Sequence, residues 1–138
     1  KHFYGSIYSR KPFYTAVMVS IAGFMSSPFF SVYGASKAAL KIFIESVNVE
    51  LKKSGTDNRI LNVSPGRING TNFYNGANNL SLLYPLADEI IYHMNNRNDL
   101  FIPEYEEVFK KVLERYHRDF RAEGEHSYEY KQEQLKRK

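Results

Sequence analysis

The sequence predicts an α/β fold in which a parallel sheet is flanked by helices. Three segments carry this prediction: an apolar, β-branched run at 14–20, an amphipathic helical pattern at 32–54 and a short apolar run at 60–63. Strands of a parallel sheet are apolar on both faces because helices cover both. The order strand, helix, strand over this length forms a crossover, so the two strands should be parallel. The 138 residues are enough for one domain with a buried core.

Composition and charge exclude several classes of function. No apolar run approaches the roughly 20 residues of a membrane span, and no signal peptide is visible. We therefore expect a cytoplasmic protein without a membrane span. Cysteine is absent, which rules out disulfides and thiolate metal sites, and no metal site is predicted. The net charge of +4 is modest, so no nucleic-acid partner is expected.

The first 32 residues should form the end of a helix, the first strand and a loop. The helix is expected to stop before Lys11-Pro12, because proline disfavours helix for the residue that precedes it. In the loop 21–32, glycine, serine and proline favour turns. Its apolar side chains either line a substrate pocket or pack on the core or a partner subunit, and the residue types alone favour neither: Phe24, Phe29, Phe30 and Val32.

The helix predicted at 32–54 has the strongest pattern in the chain. Ser31 is a plausible N-cap, and Gly55 follows two lysines as a natural C-terminal stop. Apolar residues recur at helical spacing and predict one buried face: Leu40, Phe43, Ile44, Val47 and Leu51. After the strand at 60–63, the polar segment 72–84 should be a loop. Pro85 should then open a helix through about Met94, with Leu86, Ile90 and Ile91 on its inner face, before a last strand at 100–103.

Residues 104–138 differ in composition from the rest, so we place a boundary there, with one partial domain at 1–103 and a charged C-terminal helix and tail at 104–138. One apolar stripe marks the helix: Val108, Val112, Leu113, Tyr116 and Phe120. After Gly124 we expect frayed or disordered chain. A weaker hypothesis makes this segment an arm for nucleic acid or a protein partner, and its near-balanced charge disfavours nucleic acid.

Three residues have the types and spacing of a proton-transfer site. Tyr33 and Lys37 are four apart, so a helix places them on one face, one turn apart. An ammonium beside a phenol stabilises the phenolate and makes the phenol a usable acid or base at neutral pH. Ser20 ends an apolar strand, where its hydroxyl would face the crevice in which α/β sheets bind ligands. Alone, a Tyr and a Lys at this spacing are more often surface residues of a helix.

The surroundings of these residues resemble the short-chain dehydrogenase/reductase family. That family has a Ser ahead of an A-G pair and then Y-x-A-S-K, and here Ser20 precedes Tyr33-Gly34-Ala35-Ser36-Lys37 by the same interval of thirteen residues. A second match is Pro65-Gly66-Arg67-Ile68, which is similar to the family's P-G-x-I-x-T loop, although Gly70 is one residue extra before Thr71. The resemblance covers roughly residues 1–103.

The resemblance implies a fold, an activity and a site. The fold would be the C-terminal half of a Rossmann-like doubly wound parallel sheet with flanking helices. The substrate would be a small carbonyl compound or alcohol, with Tyr33 as acid/base, Lys37 as its activator and Ser20 orienting the substrate oxygen. The segment 72–84 would be a mobile substrate loop, and the helix 32–54 would support a homo-oligomer. NAD or NADP would be held by Tyr33, Lys37, Pro65, Gly66, Ile68 and Thr71.

Two parts of the family pattern are not found in this sequence. One is the family's catalytic Asn, which lies on an earlier helix, and the other is a Gly-rich turn. The Gly-rich turn G-x-x-x-G-x-G that receives the pyrophosphate has no counterpart, since Gly66 and Gly70 are followed by Asn72 where the third glycine would stand. We therefore expect the catalytic half of an NAD(P)-dependent oxidoreductase, whose strand 14–20 lacks one neighbour. The alternative is a truncated, inactive family member that acts as an interaction module through the exposed strand edge and the aromatic loops.

Overall fold

The computed structural model describes residues 2–72 and 78–136 of the chain. Turns of 3₁₀ type lie at Ile21–Gly23 and Leu80–Leu82, and one π-helical turn lies at Tyr105–Phe109. None of the described helices is both long and apolar enough to cross a membrane. The regular elements are the strands β1 (Tyr14–Met18), β2 (Arg59–Val63) and β3 (Leu100–Phe101), and the helices α1 (His2–Ile7), α2 (Ser31–Ser54), α3 (Tyr84–Asn95), α4 (Lys110–Arg118) and α5 (Phe120–Lys136).

The three strands form one parallel sheet in the order β1-β2-β3. Tyr14 pairs with Arg59 at one end of the sheet, and Val63 pairs with Phe101 at the other. The predicted α/β class and the parallel crossover through α2 are both confirmed. In the described chain β1 has a strand neighbour on one side only, as expected from the sequence. The central strand β2 is the most buried of the three.

Two apolar clusters hold the helices in place. One lies between α2 and the sheet and is formed by Ile7, Val19, Ile44, Val47, Leu51 and Ile60. The other joins α4 to the segment after β1 and contains Ile21, Ile102 and Leu113, with Phe24, Met25 and Phe109 packed against them. The second cluster explains why the charged C-terminal segment lies beside the loop that follows β1.

Two buried asparagines, which the sequence analysis did not identify, fasten the helices to β2. Asn48 of α2 donates its Nδ2 to the Ile60 carbonyl and accepts the Ile60 N–H, each at 2.9 Å. Asn58 accepts the Phe13 N–H at 2.8 Å, and the two N–H groups of its Nδ2 are shared among three carbonyls of the N-terminal segment, those of Ile7, Ser9 and Lys11. Buried amides of this kind are stable only when their donors and acceptors are satisfied. These two therefore fix where α1 and α2 lie on the sheet.

Several expected boundaries and buried positions differ in the structure. β1 ends at Met18, so Ser20 lies beyond the strand, and β3 ends at Phe101 instead of residue 103. Helix α2 begins at Ser31 itself, and Phe30 stands at the N-cap position without a side-chain capping bond. The predictions that Phe43 and Ile91 are buried were wrong, since 46% and 49% of their surfaces are exposed.

The expectation that the chain frays after Gly124 was also wrong. The predicted single helix is split after Arg118, and a second helix, α5, continues to Lys136. Asp119 starts α5, because its Oδ1 accepts the N–H groups of Arg121 and Ala122, each at 3.1 Å. The apolar stripe is correspondingly interrupted, with 43% of Val108 and 57% of Phe120 exposed.

Candidate active site

Six segments of the chain line a cavity of about 450 Å³ at the C-terminal end of β1. One wall is formed by the turn after β1, the start of α2 and the turn after β2, including Ser20, Tyr33 and Gly66. The opposite wall is formed by the π-helical turn, α4 and α5. Ligands of open α/β sheets bind outside the carboxyl ends of the strands, and this cavity has that position.

Ser20 is held by the turn that it begins. Its backbone is extended, its Oγ accepts the Ala22 N–H at 3.1 Å, and its carbonyl accepts the Gly23 N–H at 3.0 Å. Only 9% of the residue surface is exposed. The hydroxyl proton is not used by the bond from Ala22, because Oγ is the acceptor there. Ser20 therefore retains a donor at the cavity wall.

Two glycines bring this turn against α2. A side chain at Gly23 would lie 2.9 Å from the backbone carbon and oxygen of Lys37, and one at Gly34 would lie 3.1 Å from the Ala22 carbonyl. The turn after β1 and the first turns of α2 are therefore in backbone contact. This contact sets the position of Ser20 relative to Tyr33 and Lys37.

Tyr33 and Lys37 lie on one face of α2, as the spacing predicted. The Lys37 Nζ is 5.6 Å from the centre of the Tyr33 ring. Tyr33 lines the cavity, whereas the Lys37 ammonium donates to the carbonyl of Met18, the last residue of β1, at 3.0 Å. The structure thus brings Ser20, Tyr33 and Lys37 together around the end of one strand.

The turn after β2 first extends the hydrogen bonding between β1 and β2. Its later residues, Ile68 and Thr71, are not among those that line the cavity. The Pro65 carbonyl accepts the Ile21 N–H at 3.0 Å, and Gly66 lies at the cavity wall. Thr71 donates its hydroxyl to the Ile68 carbonyl at 2.9 Å, so these two residues bind each other. Of the loop residues expected to bind a cofactor, only Gly66 lines the cavity as the described residues form it.

The turn after β2 has one feature that suits the nicotinamide end of a dinucleotide and one that does not. The Ile68 N–H donates to no acceptor in the described part of the chain, so a ligand could use it. Gly66, in contrast, is covered by the ring of Phe109, with which any side chain at that position would collide. Among residues 2–72 and 78–136, no group of three or more histidine, aspartate or glutamate side chains could hold a metal ion.

Helix α5 forms much of the opposite wall, and the sequence analysis missed it. Tyr128 stacks on Phe29 with ring centres 4.7 Å apart, and Lys131 donates from its Nζ to the Ser27 hydroxyl at 2.9 Å. Phe29 has a left-handed backbone with φ of 67°, which is unusual for an aromatic residue and which the stacked ring helps to hold. The sequence does contain a signal for this helix, namely Asp119 as an N-cap followed by residues of good helix propensity.

Arg115 and Glu123 join α4 to α5 beside the same cavity. The Arg115 Nε lies 2.6 Å from one Glu123 oxygen, and its Nη2 lies 3.0 Å from the other. This two-point pairing with the carboxylate raises the pKa of the Arg115 guanidinium. The two opposite charges therefore neutralise each other at the cavity wall.

The predicted mobile loop at 72–84 falls partly outside the described residues, which exclude 73–77 and hence Phe73 and Tyr74. The described end of the segment is turned toward solvent, with 68% of Leu80 and 55% of Leu82 exposed. Gly70 before it adopts φ of 82°, and its carbonyl accepts the Asn79 N–H at 3.0 Å.

Residues 16–79 match the family model for short chain dehydrogenases. This stretch contains Ser20, Tyr33, Lys37 and the turn after β2, so the part of the chain that holds these residues is similar to the short-chain dehydrogenases. A comparison with curated proteins gave no match.

The fold is also similar to a solved structure, that of a protein from Novosphingobium aromaticivorans described as a short-chain dehydrogenase. The TM-score is 0.55 at 17% sequence identity, and the match covers 76% of this chain and 36% of that one. The present chain therefore spans about a third of the length of that protein. The likeness supports the Rossmann-like fold.

Proposed function

We propose that this chain provides the proton-transfer part of an NAD(P)-dependent oxidoreductase that interconverts a carbonyl and an alcohol. The observation that supports this most is the cavity shared by Ser20 and Tyr33, which come from different elements and are brought together at the end of β1. The similarity of residues 16–79 to the family model for short chain dehydrogenases supports the same reaction class.

The proposed roles follow from the position of each side chain. Tyr33 donates its phenolic proton to the carbonyl oxygen during reduction and takes it back during oxidation. Ser20 donates a hydrogen bond to the same oxygen and so orients the substrate. The Lys37 ammonium lies close to the Tyr33 ring and stabilises the phenolate that forms when the proton leaves. The nicotinamide, when bound, supplies or accepts the hydride.

The cofactor would be NAD or NADP, bound by Tyr33 and Lys37 on α2 and by the loop after β2. In that loop Pro65 and Gly66 shape the turn, Ile68 offers its N–H, and Thr71 is a further candidate contact. A nicotinamide placed on Gly66 would touch the Phe109 ring, which covers that glycine. Phe109 is therefore expected to be a direct neighbour of the bound ring.

The first experiment measures oxidation of NADH and NADPH at 340 nm by the protein expressed from its complete coding sequence, with a panel of aldehydes and ketones. Tyr33→Phe should lower kcat/KM by at least about 100-fold, because the general acid is lost. Tyr84→Phe is the matched control, since Tyr84 is 64% exposed and lies at the start of α3. Turnover that survives Tyr33→Phe, or binding of NAD(P) unaffected by Tyr33→Phe with Lys37→Ala, would contradict the assigned roles.

We also propose that the protein forms a homo-oligomer through α2. One side of this helix carries small and apolar residues that are exposed in the single chain, namely Val32, Ala35, Ala39, Ile42 and Val49. An exposed apolar stripe along a helix of this length is a typical protein-binding surface. The partner that fits it best is the same stripe of a second copy, related by a twofold axis.

A second candidate function is that of an interaction module without catalysis. The observation that favours it is the edge of β1, which has no strand neighbour among the described residues. Such an edge can pair with an added strand of another chain. A stable dimer that forms without cofactor, combined with no binding of NAD or NADP, would favour this alternative over the enzyme. Reading the coding sequence upstream of Lys1 for a Gly-rich strand–turn–helix also separates the two.

A further inference from the structure

The wall that α5 contributes to the cavity beside Ser20 and Tyr33 carries a positive charge. Lys131 of α5 reaches this wall, where its Nζ donates to the Ser27 hydroxyl at 2.9 Å and to the Pro28 carbonyl at 3.2 Å. It also lies 5.5 Å from the centre of the Phe30 ring. These partners are all neutral. An ammonium has three donors, so one remains for a ligand.

No carboxylate of the described residues balances this ammonium. The nearby acid, Glu123, is already engaged at both oxygens by Arg115. Lys131 forms no ion pair within residues 2–72 and 78–136. Burial lowers the pKa of the Lys131 ammonium, as expected for a cation that has lost water without gaining a counter-ion. An anion entering the cavity would remove this imbalance.

We propose that Lys131 is an anion-binding subsite and that the substrate carries a carboxylate at the end remote from its reacting carbonyl. That the substrate has a reacting carbonyl rests on the proposed oxidoreductase function, whereas the anion subsite at Lys131 does not depend on that function. At Lys131 a carboxylate fits better than a dianionic phosphate, because the groups that contact this ammonium are neutral and one ammonium balances one charge.

The rest of the cavity defines the body of the substrate. The walls of the cavity are mainly apolar, with Phe30, Phe109, Val112 and Tyr130 among the lining residues. The volume of about 450 Å³ lies within the usual range for small-molecule sites. The geometry therefore favours an oxo-acid with an aliphatic or aromatic body between its carbonyl and its carboxylate.

A structural role for Lys131 would also account for its contacts, because they fasten α5 to the loop at Ser27 and Pro28. The two roles differ in what they require. Fastening requires hydrogen-bond donors and would not distinguish a charged ligand from a neutral ligand of the same shape. An anion subsite requires positive charge and discriminates between the two ligands.

The test measures binding by isothermal titration calorimetry, with and without oxidised NADP. The probes are methyl-ketone carboxylic acids of increasing chain length and their methyl esters. The wild-type protein should bind the best acid about 10- to 100-fold more tightly than its ester, the range expected for one charge-assisted hydrogen bond. Lys131→Met should abolish this preference, and Lys131→Arg should retain it. Lys136→Met, on the exposed end of the same helix, is the matched control and should leave the preference unchanged.

Equal binding of acid and ester by the wild-type protein would overturn the subsite, and so would an unchanged preference in Lys131→Met. Retention by Lys131→Arg guards against a variant that merely loosens α5. Turnover with NADH or NADPH is measured separately. Acids that bind through Lys131 but are never reduced would support the subsite and count against the proposed reaction.

Discussion

Because Gly23 and Gly34 lack side chains, the turn that begins at Ser20 can lie directly against the start of α2, which carries Tyr33 and Lys37. Each lies where the turn after β1 touches the backbone of α2. The sequence predicts only that a glycine in the loop 21–32 favours a turn, whereas the structure gives Gly23 a packing role. This packing role could not be predicted from the sequence, because it depends on a contact between Gly23 and the backbone of Lys37 in α2, which is formed only in the folded chain.

Replacing Gly23 with alanine should push the turn away from α2. Because the new methyl group would meet backbone atoms that cannot rotate aside, we expect a loss of about 1–3 kcal/mol in the free energy of unfolding. Denaturant unfolding followed by circular dichroism measures this. Gly5→Ala is the control: Gly5 lies in α1 with nothing within 4 Å of the new group, so stability should be unchanged or slightly higher. Equal effects of the two changes would show that the close approach at Gly23 is unimportant.

Lys131 should titrate below an ordinary lysine. Burial disfavours its ammonium, so its pKa in the folded protein lies below 10.5, the usual value for lysine. The sign follows directly: the ammonium opposes folding at neutral pH, and this cost disappears as the pH rises through the lowered pKa toward 10.5. Competitive labelling of the amines over a pH series should give a lower midpoint for Lys131 than for the exposed Lys136. Coincident midpoints would show that the amine is not desolvated.

At the scale of elements, α5 is the part of the fold that the sequence analysis missed. The dense charges of both signs and Gly124 are typical of a frayed tail, and the prediction gave them more weight than the helix-capping residue Asp119. The segment is helical because Asp119 caps it and because Tyr128 and Lys131 dock on the loop before α2. Docking of this kind is a tertiary effect that no local pattern reveals.

Removing the cap should weaken this helix first. Asp119→Ala takes away the acceptor of two backbone N–H groups and should cost about 0.5–2 kcal/mol, with some loss of helical signal. Thermal unfolding followed at 222 nm measures both effects. Asp119→Asn keeps a capping oxygen and should remain close to wild type. If Asp119→Asn lost as much stability as Asp119→Ala, charge and not capping would be the relevant property.

Sequence motifs predicted the order of the elements and the grouping of Ser20, Tyr33 and Lys37, whose catalytic roles stay predictions. The interval between Ser20 and Tyr33, and the position of Lys37 one turn later, are local features that survive folding unchanged. The roles expected for Ile68 and Thr71 stay predictions, since these residues bind each other beside the cavity. The wall formed by α4 and α5 could not be predicted from the sequence, because it depends on the packing of α5 against the loop before α2.

For the whole molecule, the exposed stripe of α2 is the feature with the clearest consequence. If two copies pair through it, a charge placed in the stripe should separate them. Val49→Glu together with Ile42→Glu should convert a dimer to a monomer in light scattering, because both side chains are about 60% exposed in the single chain. Leu80→Glu, at an exposed leucine outside α2, should leave the mass unchanged. A wild-type protein that is monomeric at all concentrations would contradict the dimer.

From the register of the sheet we expect α2 to form before β1 and β2 pair. Tyr14 pairs with Arg59, and the whole of α2 lies between them. Closing so long a stretch of flexible chain is entropically costly, and a preformed helix shortens the gap. Substitutions that weaken the interior of α2 should therefore slow refolding, whereas substitutions at the contact of β2 with β3 should mainly accelerate unfolding. In stopped-flow measurements, variants in α2 should change the folding limb of the chevron plot, and variants between β2 and β3 should change the unfolding limb.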